Sequence, residues 1–304
     1  MDKAITKSIL KTLCFYDLFD FPLTNTEIYD NLWQHRCSFV ACQRAIDQML
    51  DHGLIGYGHG FYHLPGRDKL VKIRQQRYVY SFKKWHLIKK YAWLWPLIPS
   101  LKMVGVVNTL AYSNAKVDGD IDLLIITDKR RLFTTRLFLT IWLLVLNMWR
   151  YRKLTVANKF CLSFFLTENN LNLKKLLLSD ADAYLIYWTK WLRPVYCADI
   201  NVANRYWRQN QWIKDFLPNA GFPNLVIKAD RPNGIALFWR WLLDGWLGDM
   251  IENMLAKMML AKIKKNDPVD DKDGIMANAK ILKFHPQGKR MEYAKKWREK
   301  INKL

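Results

Sequence analysis

The chain has 304 residues, 51% of them hydrophobic, which is room for one large domain or about two to three small ones with real cores. Its 48 Lys and Arg stand against 27 Asp and Glu, so the formal net charge is +21 and polyanionic partners are favoured over acidic ones. Five cysteines, an odd count with no Cys-x-x-Cys pair, argue against a disulfide frame and for reduced thiols in a cytoplasmic protein.

The N-terminal segment MDKAITKSILKTL is charged and amphipathic and does not read as a signal peptide. Ile5, Ile9, Leu13 and Tyr16 mark a first helix. Thr24 followed by Glu27 matches a capping box before a second helix carrying Ile28 and Leu32. Val40, Ile46, Met49 and Leu50 mark a third, ended by Asp51 and Gly53. LIGYGHGFYHL then reads as two short strands around a glycine-rich turn. Three helices and a hairpin make a winged helix-turn-helix over residues 1–67. Its third helix sets Arg44 against Asp47 and Asp51, a poor charge pattern for phosphate contact.

Residues 68–100 form a connecting basic helix, with Tyr78, Phe82, Trp85 and Ile88 expected as its buried stripe and Pro96 and Pro99 closing it. Residues 101–170 alternate strand, strand, helix, strand (KMVGVV, DIDLLIIT, KRRLFTTRLFLTIWLLVLNMW, NKFCLSFFLT), a compact α/β core. Residues 171–304 read as a mainly helical region. GIALFWRWLLDGWLGDMIENMLAKMMLAKIKK is taken there as one long helix weakened by Gly245 and Gly248, and NDPVDDKDG as a polar loop. The fold class is therefore α+β. LFLTIWLLVLNMW is too short to span a bilayer, and the longer segment carries Arg240, Asp244, Asp249 and Glu252. No transmembrane segment is expected, and peripheral membrane contact is not favoured.

The chemistry concentrates in VVNTLAYSNAKVDGDIDLLIIT, where Asp118, Asp120 and Asp122 precede an apolar run. Residues two apart on a strand share a face, so Asp120 and Asp122 present neighbouring carboxylates. Like charges that close are relieved by a divalent cation. Mg²⁺ (or Mn²⁺) on one or two carboxylates, completed by phosphate oxygens, suits them. DGDID lacks the glycine and terminal glutamate of a calcium loop at the required offsets.

This stretch resembles the nucleotidyltransferase superfamily with the DNA polymerase β-like fold. That pattern is an apolar strand, Gly-Ser or Gly-Gly, roughly ten residues, then Asp-x-Asp on a second strand. SNAKVDGDIDL is similar to the ending common in its small members. The resemblance runs from Lys102 to Leu166, about a fifth of the chain. It implies that Asp120 and Asp122 are catalytic metal ligands, and that Asn108 and Thr109, standing where the family has Gly and Ser, lie under the triphosphate. It implies transfer of a nucleoside monophosphate from an NTP to a hydroxyl acceptor that the sequence does not identify. A non-catalytic nucleotide- or DNA-binding regulatory protein retaining the fold is the alternative, and the basic surface leaves nucleic acid open as a partner.

Ser113 and Lys116 belong to the connecting loop and are candidate phosphate contacts, as are Lys129, Arg130 and Arg131 after the strand. The family's third carboxylate would fall near Ser163, with Glu168 at the strand end and Asp180, Asp182 or Asp244 as remoter sources. Lys283, Lys289 and Arg290 in the tail could also reach phosphate. His59 and His63 fall in the hairpin and do not suggest zinc.

Overall fold

The computed structural model describes residues 2–150, 157–180, 182–221, 232–266, 273–284 and 288–303. The chain opens with helices α1 (Lys3–Asp17), α2 (Asn25–Asp30) and α3 (Phe39–Asp51) and the antiparallel hairpin β1 (Gly56–Gly58) and β2 (Phe61–His63). The capping box forms: the Thr24 hydroxyl accepts from Glu27 N at 3.2 Å, and Glu27 Oε2 accepts from Thr24 N at 2.9 Å. The outer side of α3, with Val40, Arg44, Asp47 and Asp51, is exposed rather than covered by the rest of the chain.

Helix α4 (Lys69–Lys90) keeps half of its expected stripe, with Ile88 buried and Trp85 partly buried, and loses the other half. Tyr78 and Phe82 are exposed, and the buried line runs through Leu70, Arg74, Ser81, Lys84 and Ile88. The reason is hydrogen bonding. This helix lies across loop carbonyls that need donors, and Arg74 supplies Pro22 O, Arg77 supplies Phe19 O and Lys84 supplies Gly119 O. Arg74 also pairs with Glu27, and Arg77 with Asp20, so α4 fastens the N-terminal helices to the rest of the molecule.

The central sheet has six strands in the order β6-β3-β4-β5-β8-β7 and is mixed. Strands β3 (Leu101–Val106) and β4 (Ile121–Thr127) are antiparallel and joined through the short helix α5 (Asn108–Ala111). Strand β5 (Phe160–Thr167) lies parallel to β4, after the crossover helix α6 (Leu132–Val145). The region expected to be mainly helical contributes the other three strands. After α7 (Ala183–Trp191), β6 (Arg193–Cys197) pairs with β3 at the sheet's edge, where Pro194 is tolerated. Helix α8 (Ile200–Gln209) follows. The long apolar segment is two helices, α9 (Gly234–Leu243) and α10 (Trp246–Asn266), broken at Gly245, whose φ of +98° few other residues adopt. Strands β7 (Ile275–Ala277) and β8 (Ile281–Phe284) and helix α11 (Arg290–Ile301) complete the chain. Most of the NDPVDDKDG loop lies outside the described residues.

Alternation along the strands divides the core. Met103, Leu124, Ile126, Phe164 and Leu166 face α1, α7 and α11, where Trp297 reaches the N-terminal unit. Val104, Val106, Leu123, Ile125 and Phe165 face α6, α10 and the 3-10 turn Ala92–Leu97. Asp122 has the parity of Leu124 and Ile126, so it points to the first of these faces.

Candidate active site

The apolar run Leu123–Ile126 is buried on both sides of the sheet and anchors β4 in the middle of the molecule. That fixes the strand's start, where Asp120 and Asp122 are partly buried. One ligand atom each from Asp120, Asp122 and Cys161 lies within 4.8 Å of the others. The two acids are therefore together, as the Asp-x-Asp spacing predicts.

Asn108 follows β3 directly and adopts φ +57°, the left-handed region in which asparagine is among the better tolerated side chains. Its Nδ2 donates to Asp122 Oδ2 at 2.8 Å, and its Oδ1 accepts from the Tyr184 hydroxyl at 3.0 Å. A chain of two hydrogen bonds thus runs from α7 through α5 to the carboxylate. Burial pushes the Tyr184 phenol up, so it remains a donor.

Asp122 is raised to about 6, first by burial and then by the charge of Asp120, while the bond from Asn108 works in the opposite sense. Among the described residues, Arg150 is a cation bonded to the pair: its Nη1 donates to Asp120 Oδ2 at 2.5 Å and contacts Cys161 Sγ at 3.4 Å. Burial, followed by Asp122 and Asp120, pushes the Cys161 thiol up to about 12, so it is a neutral neighbour.

Cys161 occupies the place where a third acid was sought. The expected position near Ser163 is displaced because the β4–β5 register shifts between Asp122 and Leu124, leaving Cys161 as the partner of Asp122. Glu168 is at the opposite end of the strand, bonded to Arg205 at 2.7 Å and near Lys102. Asp182 caps α7 and forms a buried ion pair with Arg290. Asp244 terminates α9, on the other side of the sheet. None of the three joins the pair.

The remaining candidates divide. Thr109 lines a small aromatic cavity of about 40 Å³ with Asn108, Tyr112, Tyr184 and Trp191. Ser113, also at positive φ, instead lines a cavity of about 440 Å³ with Glu27, Arg74, Lys190 and Arg193. Lys116 is exposed in the loop, and among the described residues no hydrogen bond or ion pair joins it to either carboxylate. Lys129, Arg130 and Arg131 lie past the far end of β4, about 20 Å along the strand from Asp122. Arg131 is buried there and bonds Leu243 O and Asp249.

Lys283, Lys289 and Arg290 come together at a cavity of about 140 Å³, which Tyr184 also lines. Lys283 is committed to the carbonyls of Asp273 and Gly274, and Arg290 to Asp182 and Leu176 O.

Four residues at the site were not singled out in the sequence: Cys161, Arg150, Tyr184 and Lys84. Lys84 reads as one more surface cation of a basic helix. It is buried, and its Nζ holds Gly119 O at 2.6 Å and Asn158 Oδ1 at 2.7 Å, clamping the loop that delivers Asp120. Only the 3–4 spacing of Arg74, Arg77, Ser81, Lys84 and Ile88 could have marked that line as an inner face.

The donor set fits Mg²⁺ or Mn²⁺ through oxygen. Two adjacent carboxylates at the start of β4, one of them raised by burial and then by its neighbour's charge, are what a hard cation would relieve, and the soft sulfur of Cys161 suits such a cation poorly. No known family model, curated protein or solved structure matches the chain.

Proposed function

We propose that the protein binds a nucleoside triphosphate with Mg²⁺ or Mn²⁺ at Asp120 and Asp122 and transfers the nucleoside monophosphate to a hydroxyl acceptor, releasing pyrophosphate. The observation that carries this reading is the paired carboxylates at the start of a buried strand, with Asp122 held by Asn108, which Tyr184 bonds in turn, and raised by burial and then by Asp120. The order β3-β4-β5 around the Asp-x-Asp, with a short helix after β3, supports it further.

The metal would supply charge neutralisation at the triphosphate. The chain's own part is positioning. Asn108 ties up one oxygen of Asp122 and orients the other, Lys84 fixes the loop before Asp120, and Thr109 offers a hydroxyl at the start of α5. Phosphoryl chemistry depends chiefly on such positioning and electrostatics. A cytoplasmic location goes with this proposal, since the reaction needs a supply of NTP.

A second reading rests on Arg150. Its guanidinium already supplies a positive charge to Asp120, which suits a protein that keeps the fold and binds nucleotide without catalysis. The outer side of α3 sets Arg44 against Asp47 and Asp51, so nucleic-acid contact would use other basic surface.

Thermal melts with each NTP, with and without Mg²⁺, test the shared premise, using Asp120→Asn/Asp122→Asn as control. A metal-dependent rise in the wild type that disappears in the double variant is expected. No rise at millimolar nucleotide overturns both readings. Incubation with α-labelled NTP and cell extract then separates them, since label in an acceptor selects transfer and binding without label selects the second.

A further inference from the structure

Helices α6, α9 and α10 form a layer over one face of the sheet, and the layer's outer side is apolar. All of α9 except Ala236 and Leu243 is exposed, and its one charged residue is Arg240. Trp241 is 73% exposed and Trp246, at the start of α10, 78%. A helix apolar on every side is ordinarily buried. Along α10, Trp246, Met250, Met254 and Met258 recur every four residues and are exposed together, while α6 adds Ile141, Leu144 and Val145. An exposed surface of this composition marks a contact.

The charges around it are one-sided. Helices α6 and α9 contain no acid. The two acids of α10 are engaged by neighbouring donors: Asp249, half-exposed, pairs with Arg130 and Arg131, and Glu252 accepts from the backbone N–H groups of Phe133 and Thr134, each at 2.8 Å. Among the described residues, Asp244 at the helix junction and half-exposed Asp249 stand against exposed Arg240, Lys257, Lys262, Lys264 and Lys265. A second copy would set one lysine-bearing face against another, on chains that each carry a formal net charge of +21. Aromatic and aliphatic side chains bordered by lysine match instead the boundary between anionic headgroups and acyl chains. The contact lies on the bilayer rather than through it. Among the described residues no helix is long and apolar enough to cross, and the ten residues of α9 span about 15 Å against a hydrocarbon core of about 30 Å.

We infer that α9, together with the outer sides of α6 and α10, seats the protein on an anionic lipid surface. Asp122 faces the opposite side of the sheet, so the candidate site is directed away from the bilayer.

Flotation of the full chain with vesicles tests this, comparing phosphatidylcholine alone with phosphatidylcholine mixed with phosphatidylglycerol. The protein is expected to float with the anionic vesicles, and less so as salt rises. Trp241→Ser/Trp246→Ser should weaken that binding at least about tenfold without changing the melting curve, since both side chains are exposed. Lys264→Gln/Lys265→Gln should reduce the preference for anionic vesicles. Absence of flotation, or flotation unaffected by the tryptophan pair, overturns the inference. So does a dimer in sedimentation that depends on Trp241 and Trp246 while no vesicle binding is seen, which would make a second copy the occupant.

Discussion

Asn108 Nδ2 donates to Asp122 Oδ2 over 2.8 Å from a backbone position at φ +57°, so one residue provides both the turn after β3 and the restraint on the buried carboxylate. Glycine would provide only the turn. The two contributions separate by substitution. Asn108→Gly keeps the backbone and loses the bond. Asn108→Ala loses both, at a further cost of about 1 kcal/mol for a left-handed alanine. Thermal melts should therefore rank wild type above Asn108→Gly and Asn108→Ala lowest, with both variants weakening Mn²⁺ binding. An alanine variant as stable as the glycine one would remove the backbone argument.

Arg150 is the competitor for any metal. Its Nη1 sits 2.5 Å from Asp120 Oδ2, so a divalent ion and this guanidinium draw on the same carboxylate. Arg150→Gln should raise Mn²⁺ affinity, read by electron spin resonance titration of the free ion. It should lower stability by no more than about 1 kcal/mol without metal, because the arginine is half-exposed. Unchanged or weaker Mn²⁺ binding would show that Arg150 assists the site rather than competing for it.

Some of this was legible in the chain and some was not, for physical reasons. The Thr24–Glu27 box and the Asp-x-Asp strand are local patterns, and each forms as its spacing predicts. The inner face of α4 escaped because hydrophobic periodicity counts apolar side chains. That face is instead built from donors to carbonyls of distant loops, which no local window contains. Strand β6 escaped because RPVYC is five residues against the edge of a sheet assembled from elsewhere. Cys161 escaped because a one-residue register shift between β4 and β5, invisible in sequence, makes it the partner of Asp122 where the register of Leu124 and Phe164 would have placed Leu162.

The raised Asp122 gives a stability slope in metal-free buffer. Its folded pKa, about 6, lies above the ordinary value of 3.8, so the folded state holds the extra proton between them. Stability from this group falls as pH rises from about 4 to about 6, by on the order of 3 kcal/mol, and stays reduced above that. Asp120 deepens the effect, while Arg150 and Asn108 oppose it. Asp122→Asn, which can still accept from Asn108, should flatten the slope and melt higher than wild type at pH 7 in EDTA. Saturating Mg²⁺ should narrow the difference. A variant no more stable than wild type at pH 7 would mean that the carboxylate's burial carries little cost.

Lys190 gives the opposite slope at a different joint. It is buried on α7, and its Nζ donates to Asp30 O at 2.9 Å and Asn31 Oδ1 at 2.7 Å, tying the N-terminal unit to the helix that also carries Tyr184. Burial lowers it to about 7, a shift opposed by Asp30 and Glu27 and aided by Arg193. Between about pH 7 and the ordinary value of 10.5 the unfolded chain keeps the proton that the folded protein has released. Stability from this group therefore rises with pH across that window, by on the order of a few kcal/mol. Lys190→Met removes the titration and both bonds from Nζ, leaving Asn31 Oδ1 to the Tyr16 hydroxyl alone, at about 1–3 kcal/mol. The gap in unfolding free energy between wild type and Lys190→Met, from urea titrations at pH 7 and pH 9.5, should widen toward alkaline pH. The wild type should retain the N-terminal unit's protection from proteolysis at the higher pH. A gap independent of pH would place the Lys190 ammonium in contact with water and leave Tyr187 and Trp191, which bond Asn31 O and Tyr16, as the main polar links across the joint.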